Sequence, residues 1–268
     1  MRRLLSVLLI CALAPVGAGC GAEKSVKNAV DPVAQAATRT VNSGSVEVAM
    51  TGKVSAAGQE IPVHGEGVFD LKAKRGRLTM TTSIPGQAEV RVEEIMDGLV
   101  LYMRSDAISG ALPDGKKWLK IDLVAAGRKT GIDMSQLQQL TGGGDPTQFL
   151  GYLAKAGDVH KVGTEDINGT PTTHYHATID FENLAGSAGS AAASVRQVEK
   201  LTGQKTMPTD IWIDGSQRVR RQTVAIAVKQ PVPVEVDLTI DFKRFGVPVD
   251  VHKPAAADTA DAADLSGG

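Results

Sequence analysis

The chain has 268 residues, a net charge of −1, 22% charged residues and only 4% aromatic ones. That near-neutral balance carries no basic footprint for nucleic acid, and so few rings leave little on which bases or sugars could stack. Its two cysteines, Cys11 and Cys20, both lie close to the N-terminus, so no disulfide framework holds the rest and a hydrophobic core must do so.

The first residues fall into three parts. Arg2 and Arg3 are followed by the apolar run Leu4 to Ala14, and small residues then lead to Gly17-Ala18-Gly19-Cys20. This is the grammar of a signal peptide, with an apolar run well short of the ~20 residues a spanning helix needs. Small residues ahead of Cys20 make that cysteine the expected site of acylation, with residues 1–19 removed, although Gly17 stands where leucine is usual. Cys11 is a poorer acceptor, inside the apolar run and behind Ile10. Lipid on Cys20 would hold the mature chain at the extracytoplasmic face of the cell membrane, each buried methylene contributing about 0.8 kcal/mol. Residues 20–30 read as a tether.

Asp31-Pro32 is a helix start, with Asp as cap and Pro at the first helical position. Val33, Ala36, Ala37, Thr40 and Val41 continue at helical spacing until Gly44. Strands then dominate. Val46, Val48 and Met50 alternate with polar residues; Ile61, Val63, Phe69 and Leu71 share one parity; Leu78 and Met80, Val90 and Val92, then Leu99, Leu101 and Met103 repeat the pattern. Leu119, Ile121 and Leu123 follow Trp118. Met134–Leu140 and Pro146–Ala156 have helical spacing around Gly142-Gly143-Gly144. Strands resume at Val159–Ile167, turn at Asn168-Gly169, which is a strong hairpin signal, and return along His174–Phe181. Glu182–Thr202 reads as mostly one helix, with Gly186 and Gly189 blurring its start. Thr209–Ile213, Arg218–Val228 and Val234–Phe245 complete the set, the last with Val234, Val236, Leu238, Ile240 and Phe242 on one parity. From residue 253 the chain is small, polar and acidic and reads as a disordered tail.

Period-two alternation over so many segments predicts an α+β fold: a large curved antiparallel sheet, a half-barrel of about eleven strands, with helices on its concave face. Residues 31–252 form the domain. If the helices cover the apolar side incompletely, a cavity remains. Its candidate lining is Val48, Met50, Val63, Phe69, Met80 and Val92, continued by Leu101, Met103, Ile121, Leu238 and Ile240. Flexible thioethers among them suit a surface that adapts to its ligand.

Catalytic chemistry finds little support. No Gly-x-Ser-x-Gly elbow occurs. Gly110–Lys117 nearly matches a phosphate loop, but Lys117 replaces the magnesium-binding hydroxyl and a strand follows where a helix should open, so it reads as a hairpin turn. His174 and His176 share a strand face without a third ligand at a metal-site spacing, so a solvent-facing polar edge is expected, with neither metal nor cofactor. Glu93-Glu94 and Glu165-Asp166 read as solvated surface. Trp118 and Trp212 lie off the apolar parity of their strands.

An acylated Cys20, a helix, a long antiparallel sheet and inserted helices together resemble the LppX/LprAFG lipoproteins, actinobacterial members of the LolA/LolB-like group. The resemblance spans most of residues 31–252 and rests on the order of strand-and-turn phrases. These are Met96-Asp97-Gly98-Leu99-Val100-Leu101-Tyr102, Lys117-Trp118-Leu119-Lys120-Ile121-Asp122, Gly169-Thr170-Pro171-Thr172-Thr173-His174-Tyr175 and Pro208-Thr209-Asp210-Ile211-Trp212-Ile213-Asp214. It implies a non-enzymatic, monomeric carrier that holds the acyl chains of a lipid or lipoglycan and moves them across the envelope, with an envelope lipid transporter as a further partner. A sensor or assembly module with a filled core is the alternative on the same fold; an envelope hydrolase would need a converging nucleophile and base.

Overall fold

The computed structural model describes residues 32–33, 35–56, 58–83, 88–113, 115–129, 131–136, 157–228 and 233–265. Cys20, the leader and the tether lie outside the described residues, as do the expected helix Pro146–Ala156 and residues 137–140. Within the other expected middle helix, residues 134–136 are helical.

Eleven long or medium strands follow the alternating segments: β1 (Ser45–Ala56), β2 (Gln59–Asp70), β3 (Arg75–Thr82), β4 (Val90–Asp97), β5 (Val100–Arg104), β6 (Trp118–Asp122), β7 (Gly157–Ile167), β8 (Thr170–Asp180), β9 (Thr206–Asp214), β10 (Val219–Val228) and β11 (Val234–Phe245). A twelfth, β12 (Thr259–Asp261), comes from the chain's end. They form one sheet in the order β12-β6-β5-β4-β3-β2-β1-β11-β10-β9-β8-β7. Two meanders, β1–β6 and β7–β11, therefore meet at the antiparallel pair β1–β11, where Met50 is opposite Ile240 and Val54 opposite Val236. The Asn168-Gly169 hairpin forms as its sequence predicts, with φ of +53° and +78°, the primed turn that matches strand twist.

Helices α1 (35–42), α2 (Asp106–Ser109), α3 (Leu123–Lys129), α4 (Phe181–Ser187), α5 (Ala192–Thr202) and α6 (Ala262–Leu265) accompany the sheet. Val33 and Ala36 of the N-terminal helical segment are buried against Val159, Ala177, Ile179, Ile211 and Ile213. The hydroxyl of Thr40 donates to the Ala36 carbonyl and accepts from the Val219 amide, at 2.7 and 2.9 Å, which fixes α1 to β10.

Three expectations are corrected. The segment from residue 253 is not a free tail to its end: β12 runs parallel to β6, pairing Thr259 with Trp118 and Asp261 with Lys120. The open β6 edge supplies what the tail's own side chains lack. The Lys117 amide donates to the Asp258 carbonyl at 2.8 Å, and Lys120 meets Asp261 at 2.9 Å, so edge pairing and charge replace apolar burial. Glu182–Thr202 is two helices, α4 and α5, because Gly189 takes a positive φ of +56° and ends the run in a 3-10 turn at Gly189–Ala191. Leu123 starts α3 and does not end a strand, since the Asp122 carboxylate accepts from the amides of Val124 and Ala125 at 2.8 and 3.0 Å, a side-chain cap. Between β5 and β6 the chain also makes α2, capped by Ser105, ahead of the Gly110–Lys117 segment that leads into the antiparallel β6.

The sheet's curl needs glycine at particular ladder positions. A Cβ on Gly67 would lie 2.3 Å from the Arg77 carbonyl oxygen, and one on Gly52 2.0 Å from that of Asp237. These are backbone atoms of the neighbouring strands, so no side-chain rotation relieves the clash. Gly67→Ala is expected to loosen the β2–β3 pairing at a cost of about 2–3 kcal/mol, lowering the melting temperature by roughly 5–10 °C. Thermal denaturation checks this, with Gly58→Ala as a substitution meeting no atom within 4 Å though at positive φ.

Candidate functional site

Strand register decides which side chains share a face. Met50 pairs with Gly65, and Val46 with Phe69; Gly65 pairs with Met80, Met80 with Val92, Met96 with Leu101 and Leu101 with Ile121. Directly paired residues point the same way, and positions two apart repeat that direction. All eleven candidates therefore share one face of the sheet, from Ile121 on β6 to Leu238 and Ile240 on β11.

That face is covered unevenly. Over β7–β10 it carries α1, and α4 and α5 build a second cluster of Phe181, Ala185, Ala191 and Val195 against Met207. Around β1–β3 and β11 the buried cluster is Val46, Val48 and Leu78, with Met50, Phe69, Leu71, Met80, Ile240, Phe242 and Phe245 packed on it. No helix contributes to this cluster among the described residues. Five candidates, Val48, Met50, Phe69, Met80 and Ile240, thus come together there. Val63, Val92, Leu101, Met103, Ile121 and Leu238 share the face but lie outside the cluster, and each is half-buried.

A bridge crosses above this face. Past α3 the chain returns over Gly127, where an added Cβ would lie 2.6 Å from both the Ile132 carbonyl oxygen and the Met134 side chain. The Asp133 amide then donates to the Ser194 hydroxyl of α5 at 3.0 Å. Seven strand steps separate β6 from β10, against which α5 packs. At about 4.8 Å per step that is some 34 Å across a flat sheet. The connection from Asp122 supplies roughly 24 Å, about 10 Å of helix and four further residues. The length of α5 itself, 11 residues or about 16 Å, makes up the difference, so the segment ties the β6 end of the sheet to α5.

One member of this face departs from its pattern. Glu94 pairs with Leu78 on β3 and Met103 on β5, so it stands on the apolar side beside Val92 and Met96. Burial alone pushes its carboxyl above the usual value. Its neighbour Glu93 points to the other face and meets Arg104 at 2.6 Å. Glu93 fits the expectation of solvated surface and Glu94 does not. The alternation Val90, Val92, Glu94 already carried that signal.

The opposite face is polar. His174 and His176 lie side by side there and converge on Asp210, at 2.8 and 2.9 Å from the same carboxylate oxygen. His174 also meets Glu165 at 2.9 Å, and the Trp212 indole stacks on its ring at 4.2 Å while donating to Glu165 at 3.1 Å. Burial raises the Asp210 carboxyl, but hydrogen bonds and charge from His176 and His174 outweigh it and hold the group below the usual range. No group of three or more His, Cys, Asp or Glu side chains among the described residues is placed to hold a metal ion. Trp118, likewise off the apolar parity, lies under the Arg104 guanidinium at 4.9 Å. No described helix is long and apolar enough to cross a membrane.

No protein-family model matches the chain. Among solved structures it is similar to LprF from Mycobacterium bovis, with a TM-score of 0.45 and 13% identity over 86% of this chain and 98% of that one. It is likewise similar to lipoprotein LppX from Mycobacterium tuberculosis, with a TM-score of 0.44 and 16% identity over 83% of this chain and 100% of that one. In sequence it is 33% identical over 155 residues to the "Uncharacterized 31.2 kDa protein in rplA-rplJ intergenic region" of Streptomyces griseus, covering 55% of this chain and 48% of the relative. It is 28% identical over 154 residues to "Putative lipoprotein SCO4650" of Streptomyces coelicolor, covering 56% and 44%. The chain spans about half the length of these curated relatives.

Proposed function

We propose that this chain is a membrane-anchored carrier that holds the acyl chains of a lipid or lipoglycan against the apolar face of β1–β6 and β11. Lipid on Cys20 tethers it at the extracytoplasmic face of the envelope. The observation that carries the reading is the continuous apolar face from Ile121 to Leu238, half-buried over six candidate positions and bridged by the segment that reaches Ser194. A packed core would bury such side chains fully; a face that stays partly open while roofed suits a long apolar guest, and its methionines can adapt to chains of different shape. Handover to or from an envelope transporter belongs to the same reading.

Native mass spectrometry of the protein purified from an actinobacterial host tests it. Bound species with acyl-lipid masses, released on denaturation, are the expected result. A spectrum of the bare chain alone, together with failure to take up a polarity-sensitive dye or added lipid, overturns it.

A further inference from the structure

The apolar face holds one acidic side chain where its pattern calls for an apolar one. Glu94 is in the middle of β4, with Leu78 on one side and Met103 on the other. Leu78 is only 6% exposed and belongs to the packed cluster with Val46 and Val48. No Lys, Arg or His shares this side of the sheet on β3, β4, β5 or β6. The carboxylate has no hydrogen-bond or ion-pair partner among the described residues. The other charged residues of β3 and β4, Arg75, Arg77, Arg91, Glu93 and Asp97, all have their place on the polar side, where Glu93 is matched to Arg104.

A half-buried carboxylate without a partner costs free energy, because burial strips water from it and returns nothing. A ligand group that donates a hydrogen bond returns that loss. Anions do the opposite, since two like charges in an apolar setting repel.

Resting on the carrier reading above, we infer that Glu94 selects the ligand by the group that joins its chains to its head: a hydrogen-bond donor, hydroxyl or ammonium, sits on this carboxylate while the chains run over Val92, Met80 and Met50. Free fatty acids and other amphiphiles with an anion at that junction are discriminated against. The guest thus enters in one orientation, fixed by a single polar contact within an apolar field, the usual economy of small-molecule sites.

The test uses three probes of equal chain length at pH 7.5: hexadecylamine, monopalmitoylglycerol and palmitate. Each competes with a polarity-sensitive fluorophore bound to the full chain. The amine and the monoacylglycerol are expected to displace it at concentrations about tenfold lower than palmitate. Glu94→Gln should bring the three within about threefold of one another, and Glu93→Gln, on the other face, should leave the preference intact. Circular dichroism shows whether each variant is folded, and Glu94→Met, which restores the apolar pattern, serves if the amide variant is not. Equal binding of all three probes to the unmodified chain, or a preference that survives both Glu94 variants, overturns the inference and leaves the carrier reading standing. Binding of none of the probes, nor of the fluorophore, overturns both. A response to the amine alone identifies the donor as a cation, and a response to both identifies it as a neutral hydroxyl or an ammonium in common.

Discussion

Replacing Asp214 with Ala is expected to destabilise the protein by about 3–5 kcal/mol, the range for removing one partner of a buried charge cluster. The Asp214 side chain is 3% exposed and meets Arg220 at 2.7 Å and Arg218 at 3.4 Å. It also accepts from the amides of Ser216 and Arg218, both at 2.9 Å, across the β9–β10 turn. The guanidiniums of Arg218 and Arg220 lie 4.6 and 5.0 Å from the Phe245 ring, so the cluster also ties β10 to β11. Without the carboxylate, two cations stay beside an apolar ring and the turn loses its acceptors. The melting temperature should fall by about 10 °C. Asp214→Asn keeps an acceptor for the amides and should fall between the two.

The same residue predicts the acid limb. Burial raises the carboxyls of Asp214 and Asp241, but hydrogen bonds and charge from Arg218 and Arg220, and from Arg221 and Asn168, outweigh it and hold both below the usual range. Such groups contribute stability that is fully present above the unfolded value of about 3.9 and is lost as pH falls through the folded value. Stability to denaturant should therefore change little on account of these carboxylates from pH 7 to 5 and drop below about pH 4. In Asp214→Ala that drop should be shallower. An unchanged acid limb in the variant would contradict the assignment.

The second large effect concerns the apolar face. Met80→Trp is expected to lower bound lipid at least tenfold while changing stability by no more than about 1–2 kcal/mol. Met80 is half-buried, and the atoms nearest an added Cβ on its ladder partner Gly65 belong to the Met80, Leu78 and Met50 side chains, at 3.4–3.5 Å. An indole there would occupy the surface over Gly65, where an acyl chain would otherwise run. Thr79→Trp places the same ring on the polar face, between Glu66 and Glu93, and should leave bound lipid unchanged. Mass spectrometry of extracted lipid per mole of protein measures both. Equal lipid in the Met80 variant and the unmodified chain would place the guest elsewhere.

The strands were legible because alternation is local: each apolar residue two positions from the last fixes a face without knowledge of the partner strand. That is why Ile121 and Leu238, on strands far apart in the sheet, were assigned to one side from sequence alone. What closes the fold was not legible in the same way. Nothing in Val46–Met50 announces β11 as its neighbour, since that pairing joins distant segments. The β12 pairing was hidden because it rests on backbone edge bonds and Lys120–Asp261 charge, with Ala260 the only buried apolar side chain it brings. Glu94 was readable by parity, but its adjacency to Glu93 made the pair look like surface. Asp214 looked like a turn residue and is one; its role as the acceptor for two arginines depends on β10 returning beside it.

The β1–β11 seam has a kinetic consequence. Each meander assembles from neighbours in sequence, which is quick, but the seam sets Val46 opposite Phe245, and pairing across so long a stretch of chain is slow to find. The N-terminal helix is in a similar position, because Val33 and Ala36 are covered by β7, β8 and β9. Neither can settle until most of the polypeptide is available. A chain threaded through a membrane from its N-terminus would therefore stay slack during passage and lock only when its last long strand has emerged.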